Sequence, residues 1–331
     1  MTINFEHRPA AHCETGVTSN MLNFYGYQLS ESMIFGIGEG LTFVFIPFVN
    51  FKGNAMKFSF RSIPGAIFTS AMKKLRIKVG MKRFSNKEDA MKELDNLLAA
   101  GIPVGNVVGL FHLPYSPIRT HFNAHNLCVV GKVDNEYIIS DPCWHDTLLR
   151  ISYNELMKVR FPEGAFKPRG KMYWIKEKPV FPNIRPIIMR SIKKTCYKML
   201  DIPMYFLGVR GLVTLSKEIR KLNTKYGERD AIFYLASLVQ AIEEIGTGGA
   251  GYRFMYGAFL HEAADMLNEP KLKDYSLKMN QIGDMWRSFA LECGRKFKNR
   301  SEASYDDLAD KLLEISVAEK KFFAALKKEK L

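Results

Sequence analysis

The sequence has 331 residues, of which 47% are hydrophobic and 25% charged, and its formal charge is +14. This composition excludes a disordered or fibrous chain and is sufficient for one large or two medium globular domains. The longest apolar run, residues 41–51, contains Pro47 and is much shorter than the roughly 20 residues that cross a bilayer, so it excludes a transmembrane helix.

The cysteines and the N-terminus indicate the compartment. Five cysteines at irregular spacing do not form a disulfide framework, and this favours free thiols in a reducing environment. The first residues, MTINFEHRPAAHC, lack the basic and apolar regions of an export signal. We therefore expect a cytoplasmic protein.

Two helices are predicted in the first hundred residues, with a different pattern between them. The first begins at Cys13, because apolar residues follow it at helical spacing. Residues 35–60 are rich in aromatic and β-branched residues and in glycine, which predicts strands and turns. The second helix is predicted over residues 87–100, with Asn86 as its N-cap. The residues that support these two helices are Val17, Met21, Leu22, Tyr25, Gly26, Ala90, Leu94, Leu97, Leu98 and Gly101.

Short β-rich segments follow the second helix, at residues 102–111, 125–131 and 136–140. Turn residues Asp134 and Asn135 separate the last two, so we predict an antiparallel hairpin. A further strand is predicted near residues 147–151, followed by a short helix with the capping box Ser152 and Glu155. The first 175 residues therefore predict an α+β fold.

A proline-spaced segment at residues 178–186, KPVFPNIRP, marks the predicted domain boundary. After it, apolar residues recur at spacings of three and four, which predicts helices. These helices are expected near residues 204–226, 230–245, 253–267, 275–297 and 305–326. We predict an α+β domain over residues 1–177 and an all-α domain over residues 178–331.

Cys13 is the first candidate for chemistry. A cysteine at the N-terminus of a helix is favoured as a thiolate, because unpaired backbone N–H groups and the helix dipole stabilise negative charge. The alternative is a buried structural cysteine, and position alone does not exclude it.

His125 and Asp141 are the candidate partners of Cys13. His125 opens the first strand of the predicted hairpin and Asp141 follows the second, so their side chains are expected at one edge. A histidine can keep the thiolate ionised, and a carboxylate can orient the imidazole. The order Cys, His, Asp fits a papain-like arrangement. The alternatives are a structural histidine and, because Pro142 follows, a turn-opening aspartate.

Other candidate sites have weaker patterns. A metal site built from His121, His125, Cys128, Cys143 and His145 is disfavoured, because His125 and Cys128 point to opposite faces of one strand. The glycine-rich run GTGGAG, residues 246–251, follows a helical pattern and therefore does not predict a dinucleotide fold. It is either a helix break or a loop beside a site. The predicted substrate-binding residues are Gly248, Gly249, Arg253, which can face an anionic group, and Glu31, which either lines a pocket or lies in a surface turn.

The charge excess is concentrated in residues 167–225, which carry 15 basic and three acidic residues. We call these residues the basic segment. Such a segment attracts an acidic protein, a nucleic acid or an anionic membrane surface, or it is simply a solvated face.

Residues 12–45, HCETGVTSNMLNFYGYQLSESMIFGIGEGLTFVF, resemble the opening of the family of butirosin biosynthesis protein H. The resemblance continues through HNLCVVG, IISDP and residues 243–264. It implies a papain-like fold with a helical C-terminal domain, and Cys13, His125 and Asp141 as the triad. The family's named member transfers an aminoacyl group from an acyl carrier protein to an aminoglycoside amine. A papain-like oxyanion hole would include a Gln before Cys13, but the sequence has none there, and Asn4 is the only Asn. Backbone N–H groups are therefore the expected donors.

Together these observations predict a cysteine-dependent acyltransferase. Cys13 would accept an acyl group from a carrier-protein or coenzyme A thioester, and an amine or hydroxyl acceptor would then take it. We expect no cofactor beyond the phosphopantetheine or coenzyme A of the donor, an acidic acyl carrier protein as partner, and a small-molecule acceptor; nucleic acid is disfavoured. The alternatives are a cysteine amidase or peptidase with the same triad, and a non-catalytic binding protein with a basic surface.

Overall fold

The computed structural model describes residues 2–48, 57–164, 166–244, 246–298 and 304–329. In chain order the elements are α1 (Cys13–Phe24), α2 (Glu31–Ile37), β1 (Leu41–Phe45), β2 (Phe58–Arg61), α3 (Ala66–Lys74), β3 (Val79–Lys82), α4 (Lys87–Ala99), β4 (Val104–Val108), β5 (His125–Val133), β6 (Glu136–Ser140), β7 (Leu149–Ser152), α5 (Tyr153–Arg160), β8 (Met172–Ile175), α6 (Arg185–Leu200), α7 (Gly208–Ile219), α8 (Leu222–Tyr226), α9 (Glu228–Glu243), a short turn of helix (Ala250–Tyr252), α10 (Arg253–Leu267), α11 (Lys271–Lys298) and α12 (Asp306–Lys328).

Two compact units divide the chain. The first unit comprises Met1–Ile34 and Ile67–Pro182, and the second comprises Phe35–Ala66 and Asn183–Leu331. The sheet-containing first unit and the largely helical second unit confirm the predicted fold class. Among the described helices, none combines the length and the apolar character needed to cross a membrane.

The first unit is built on a six-stranded antiparallel sheet with the order β3-β8-β4-β5-β6-β7. The apolar face of α4 packs with alternate side chains of β5 and β6 in one hydrophobic core, to which Leu94, Leu127, Val129 and Ile139 belong. Helix α1 packs against β5. The unit therefore holds the start of α1 against the sheet, where the candidate site lies.

The local signals that define this unit are confirmed. Asn86 accepts a hydrogen bond from the Asp89 amide at 2.9 Å and so caps α4. Ser152 and Glu155 form both bonds of the predicted capping box. Strands β5 and β6 pair antiparallel across Asp134 and Asn135, as the hairpin prediction requires.

The second unit contains α6 to α12 together with the antiparallel pair β1 and β2. The buried residues of β1 are Leu41, Phe43 and Phe45, which alternate with partly exposed ones. Strand β1 packs against α7, and β2 packs against α9. Apolar contact with the helices thus places residues 35–66 in this unit. The sequence predicted a single domain boundary, between residues 177 and 178, and so placed these residues in the N-terminal domain. Part of that segment, residues 49–56, lies outside the described residues.

Two further differences concern helices. Residues 35–37 complete α2, although strands and turns were predicted from residue 35 onward. Helix α6 begins only at Arg185, within the segment predicted as a linker, and Pro186 occupies its first turn. A proline is compatible with that position because the first helical N–H groups have no intrahelical partner.

Candidate active site

Cys13 is the first residue of α1, as predicted. His12 before it has extended backbone angles, so the helix begins abruptly at the cysteine. The side chain is 7% exposed. Cys13 is therefore buried at the N-terminal end of α1. Unpaired backbone N–H groups and the helix dipole favour a thiolate at this position.

The backbone that leads into Cys13 is held by Glu31. Its carboxylate accepts hydrogen bonds from the Ala11 amide at 2.9 Å and the His12 amide at 3.1 Å. Burial raises the pKa of Glu31, whereas these backbone hydrogen bonds lower it. Glu31 also lines a cavity of about 230 Å³. Its carboxylate therefore fixes the backbone that leads into Cys13, and its predicted contact with substrate stays a prediction.

His125 and Asp141 meet at the edge of the β5–β6 hairpin, where the sequence predicts them. His125 Nε2 lies 2.7 Å from Asp141 Oδ2, and both side chains are almost fully buried. A carboxylate can only accept, so Nε2 carries the proton and donates it. Nδ1 is then the nitrogen available to Cys13, and the negative charge of Cys13 helps to raise the pKa of His125.

Electrostatics at the three residues favour an ion pair of thiolate and imidazolium. A hydrogen bond from the Cys143 thiol is the largest cause that holds the pKa of Cys13 well below its usual value; burial opposes this, and positive charge on His125 reinforces it. Burial alone lowers the pKa of His125, but the charges of Asp141 and then Cys13 raise it to about 10. At neutral pH the sulfur is therefore negative and the imidazole positive.

Residues around Asp141 complete the site, and the sequence patterns did not single them out for it. The Tyr115 hydroxyl donates to Asp141 Oδ2 at 3.0 Å, and the Cys143 amide donates to Asp141 Oδ1 at 3.3 Å. The ring of Trp144 lies 6.1 Å from that of His125. Cys143 and Trp144 come two and three residues after Asp141 in the chain, and that closeness was the available signal. Tyr115 lies in the loop after β4, for which local sequence carries no signal.

Comparison with protein families identifies the chain. The family model for the N-terminal domain of butirosin biosynthesis protein H matches residues 12–142, which include all three triad candidates. A second model, a domain of unknown function (DUF4872), matches residues 154–326, just over half of the chain. The chain belongs to the DUF4872 family, and its N-terminal part matches the butirosin biosynthesis protein H domain. The match to that domain and the Cys-His-Asp geometry together indicate a papain-like cysteine enzyme.

Other comparisons add less to this family assignment. A solved structure described as a C39-like peptidase from Bacillus anthracis is similar, with 14% sequence identity and a TM-score of 0.38, over 54% of this chain and 98% of that one. No curated protein matches the chain.

Arg253 has a different role from the predicted one. It is fully buried in the second unit, its Nε and Nη2 atoms donate to the two carboxylate oxygens of Glu319 at 2.8 and 3.1 Å, and Nη1 donates to the Gly251 carbonyl. Trp286 donates to the same carboxylate at 2.7 Å. Arg253 therefore neutralises a buried Glu and does not face an anionic substrate, which corrects the prediction.

Gly248 and Gly249 lie in the turn after α9, also in the second unit. Their φ angles are +63° and +87°, a region that favours glycine. A Cβ on Gly249 would lie 2.8 Å from the Arg287 guanidinium. The glycines are thus explained by backbone conformation and close packing, and their contact with substrate stays a prediction.

Within the described residues, no three His, Cys, Asp or Glu side chains are placed to hold a metal ion.

Proposed function

We propose that this protein is a cysteine-dependent acyltransferase that carries the acyl group on Cys13. The observation that supports it best is the buried Cys13, His125 and Asp141 arrangement at the start of α1, in a chain whose N-terminal part matches the butirosin biosynthesis protein H domain. A preformed thiolate attacks a thioester carbonyl without first losing a proton.

The proposed reaction has two balanced steps. The Cys13 thiolate attacks the donor thioester, the carbon–sulfur bond of the donor breaks, and the departing thiolate takes the proton of the His125 imidazolium. An amine or hydroxyl acceptor then attacks the acyl-enzyme, His125 takes the acceptor's proton, and the Cys13 thiolate leaves. Asp141 supports the imidazolium throughout. Backbone N–H groups at the start of α1, including that of Cys13, are the proposed oxyanion donors.

Intact-mass spectrometry tests this proposal. We expect incubation with a panel of acyl-coenzyme A thioesters to add one acyl mass to the wild-type protein and none to Cys13→Ala. Cys128→Ala is the matched control, because Cys128 is a buried thiol on β5 whose pKa burial raises. Added amines should discharge the acyl-enzyme faster than water does. Discharge by water alone would support an amidase or peptidase, and the absence of any acyl-enzyme would support a binding protein.

The basic segment supports an acyl donor that is bound to an acidic carrier protein. Several of its cations are already paired within the protein: Lys198 with Glu39, and Arg220 with Asp306 and Asp310. Lys193 and Lys194 on α6 are exposed, and within the described residues neither forms an ion pair. These two lysines are adjacent and exposed on α6, so they are the pair that we test as a docking surface.

Reversal of Lys193 and Lys194 to Glu tests the docking surface. We expect a higher KM for a carrier-bound donor and little change for the same acyl group on coenzyme A, because surface charge steers association with a macromolecule. Added salt should mimic the reversal, since exposed charges are screened over about 10 Å at ~0.1 M. Reversal of Lys320 and Lys321, an exposed pair on α12, is the control with equal charge change. An equal response of both donors would exclude docking here.

A further inference from the structure

Asn126 is a buried polar residue that directly follows His125 in β5, and it is 3% exposed. Its neighbours Leu127 and Val129 belong to the hydrophobic core that includes α4. Leu127 points into that core, and successive side chains of a strand point to opposite faces, so Asn126 points to the other one. Helix α1 packs against β5, and the Asn126 amide nitrogen lies 3.8 Å from Cys13 Sγ.

The contacts of Asn126 fix the orientation of its amide. Nδ2 lies 3.2 Å from the Ala124 carbonyl oxygen, which can only accept a hydrogen bond, so the nitrogen must be on this side. Oδ1 therefore faces the Tyr173 hydroxyl, which donates to it at 2.9 Å. One N–H of the amide is used by Ala124, and the other is directed at the sulfur of Cys13.

We propose that Asn126, oriented by Tyr173, is a positioning residue that holds the sulfur of Cys13 as a thiolate. This rests on the proposed function in that Cys13 is the reacting group. A buried anion needs hydrogen-bond donors, and a bond from a neutral donor to a charged acceptor is stronger than one to a neutral acceptor. The amide therefore stabilises the attacking and leaving thiolate more than the uncharged thioester sulfur of the acyl-enzyme.

The test is the rate at which iodoacetamide modifies Cys13, followed by peptide mass spectrometry over a pH series. We expect Asn126→Ala to raise the pKa of Cys13 by about one unit, and so to slow alkylation about tenfold below that pKa. Tyr173→Phe removes only the hydroxyl that orients the amide, and it should shift the profile in the same direction by a smaller amount.

Asn106→Ala is the matched control. Asn106 is also a buried asparagine of this sheet, and its amide donates to the carbonyl of Val104, two residues earlier, at 2.9 Å, as Asn126 does to Ala124. Within the described residues, its amide has no contact with Cys13. Its alkylation profile should therefore match that of the wild type.

A wild-type alkylation profile in folded Asn126→Ala would overturn the proposal, and so would an equal shift in Asn106→Ala. If Asn126→Ala does not fold, Tyr173→Phe decides, since an unchanged profile there would leave the amide without the inferred role. Alkylation needs no acyl donor. Failure of acyl transfer would thus leave this test intact, and a negative result here would leave the proposed transfer open to its own test.

Discussion

The substitution Asp141→Asn tests the electrostatic basis of the proposed thiolate. Asn has nearly the size of Asp and can still accept the hydrogen bond that now joins Asp141 to His125 at 2.7 Å, but it carries no charge. Burial lowers the pKa of His125, whereas the charges of Asp141 and then Cys13 raise it from 6.5 to about 10. Without Asp141 the pKa of His125 should therefore fall, and the imidazolium should hold its proton less tightly.

The magnitude follows from that rise. At about 1.4 kcal/mol per pKa unit it corresponds to roughly 5 kcal/mol. Asp141 contributes the largest favourable part, and we assign it about 3 kcal/mol, the lower end of the usual effect of removing one partner from a buried ion pair. This lowers the ratio of the thiolate–imidazolium pair to the neutral pair by about 100-fold. Because the imidazolium stabilises the thiolate, alkylation of Cys13 should slow, most clearly toward acidic pH.

The assay is the iodoacetamide rate of Cys13 over a pH series, with thermal unfolding to verify the fold. Asp134→Asn is the control, since Asp134 lies at the exposed turn of the same hairpin with a φ of +51°, which Asn tolerates. A wild-type rate in folded Asp141→Asn would refute the reasoning, and the imidazolium would then depend on another group.

Three further predictions follow from the same structure. Cys143→Ala removes the hydrogen bond that lowers the pKa of Cys13 most, so alkylation at mildly acidic pH should slow, as measured by peptide mass spectrometry. The contribution of His125 to folding should be complete below pH 6.5 and disappear as the pH rises through about 10, because its pKa is raised on folding; thermal unfolding over this range measures it against Asp141→Asn. Glu319→Gln leaves Arg253 buried without a charged partner, and should lower the free energy of unfolding in urea by about 3 kcal/mol.

Each of these three predictions has a clear contrary result. An unchanged alkylation rate in Cys143→Ala would mean that the second thiol does not stabilise the first. Parallel stability curves for the wild type and Asp141→Asn would remove His125 from the pH dependence. If Glu319→Gln unfolds at the wild-type urea concentration, the buried pair does not stabilise the second unit.

Local patterns were sufficient for the parts of the site that lie close together in the chain. The start of α1 at Cys13 could be predicted from apolar spacing. The meeting of His125 and Asp141 could be predicted because a tight turn joins their two strands, and antiparallel pairing brings the strand ends together.

Features that depend on distant segments could not be predicted in this way. Arg253 looked free because its partner, Glu319, comes from α12, far along the chain. The sequence analysis placed β1 and β2 in the N-terminal domain with the residues on either side of them. In the structure these strands pack on helices that follow more than a hundred residues later. Tyr115 could not be assigned either, because only the folded loop brings its hydroxyl to Asp141.

Gly16 in the first turn of α1 packs closely against two segments of the chain, and this packing limits how those segments can be changed. A Cβ at this position would lie 2.4 Å from the Ala10 side chain and 2.9 Å from that of Pro142, and the Ala10 amide donates to the Pro142 carbonyl at 2.8 Å. The segment before Cys13 is thus joined directly to the segment after Asp141. A chimera that takes these two segments from different relatives must preserve this contact. We therefore expect related proteins to have exchanged the two segments only as a pair.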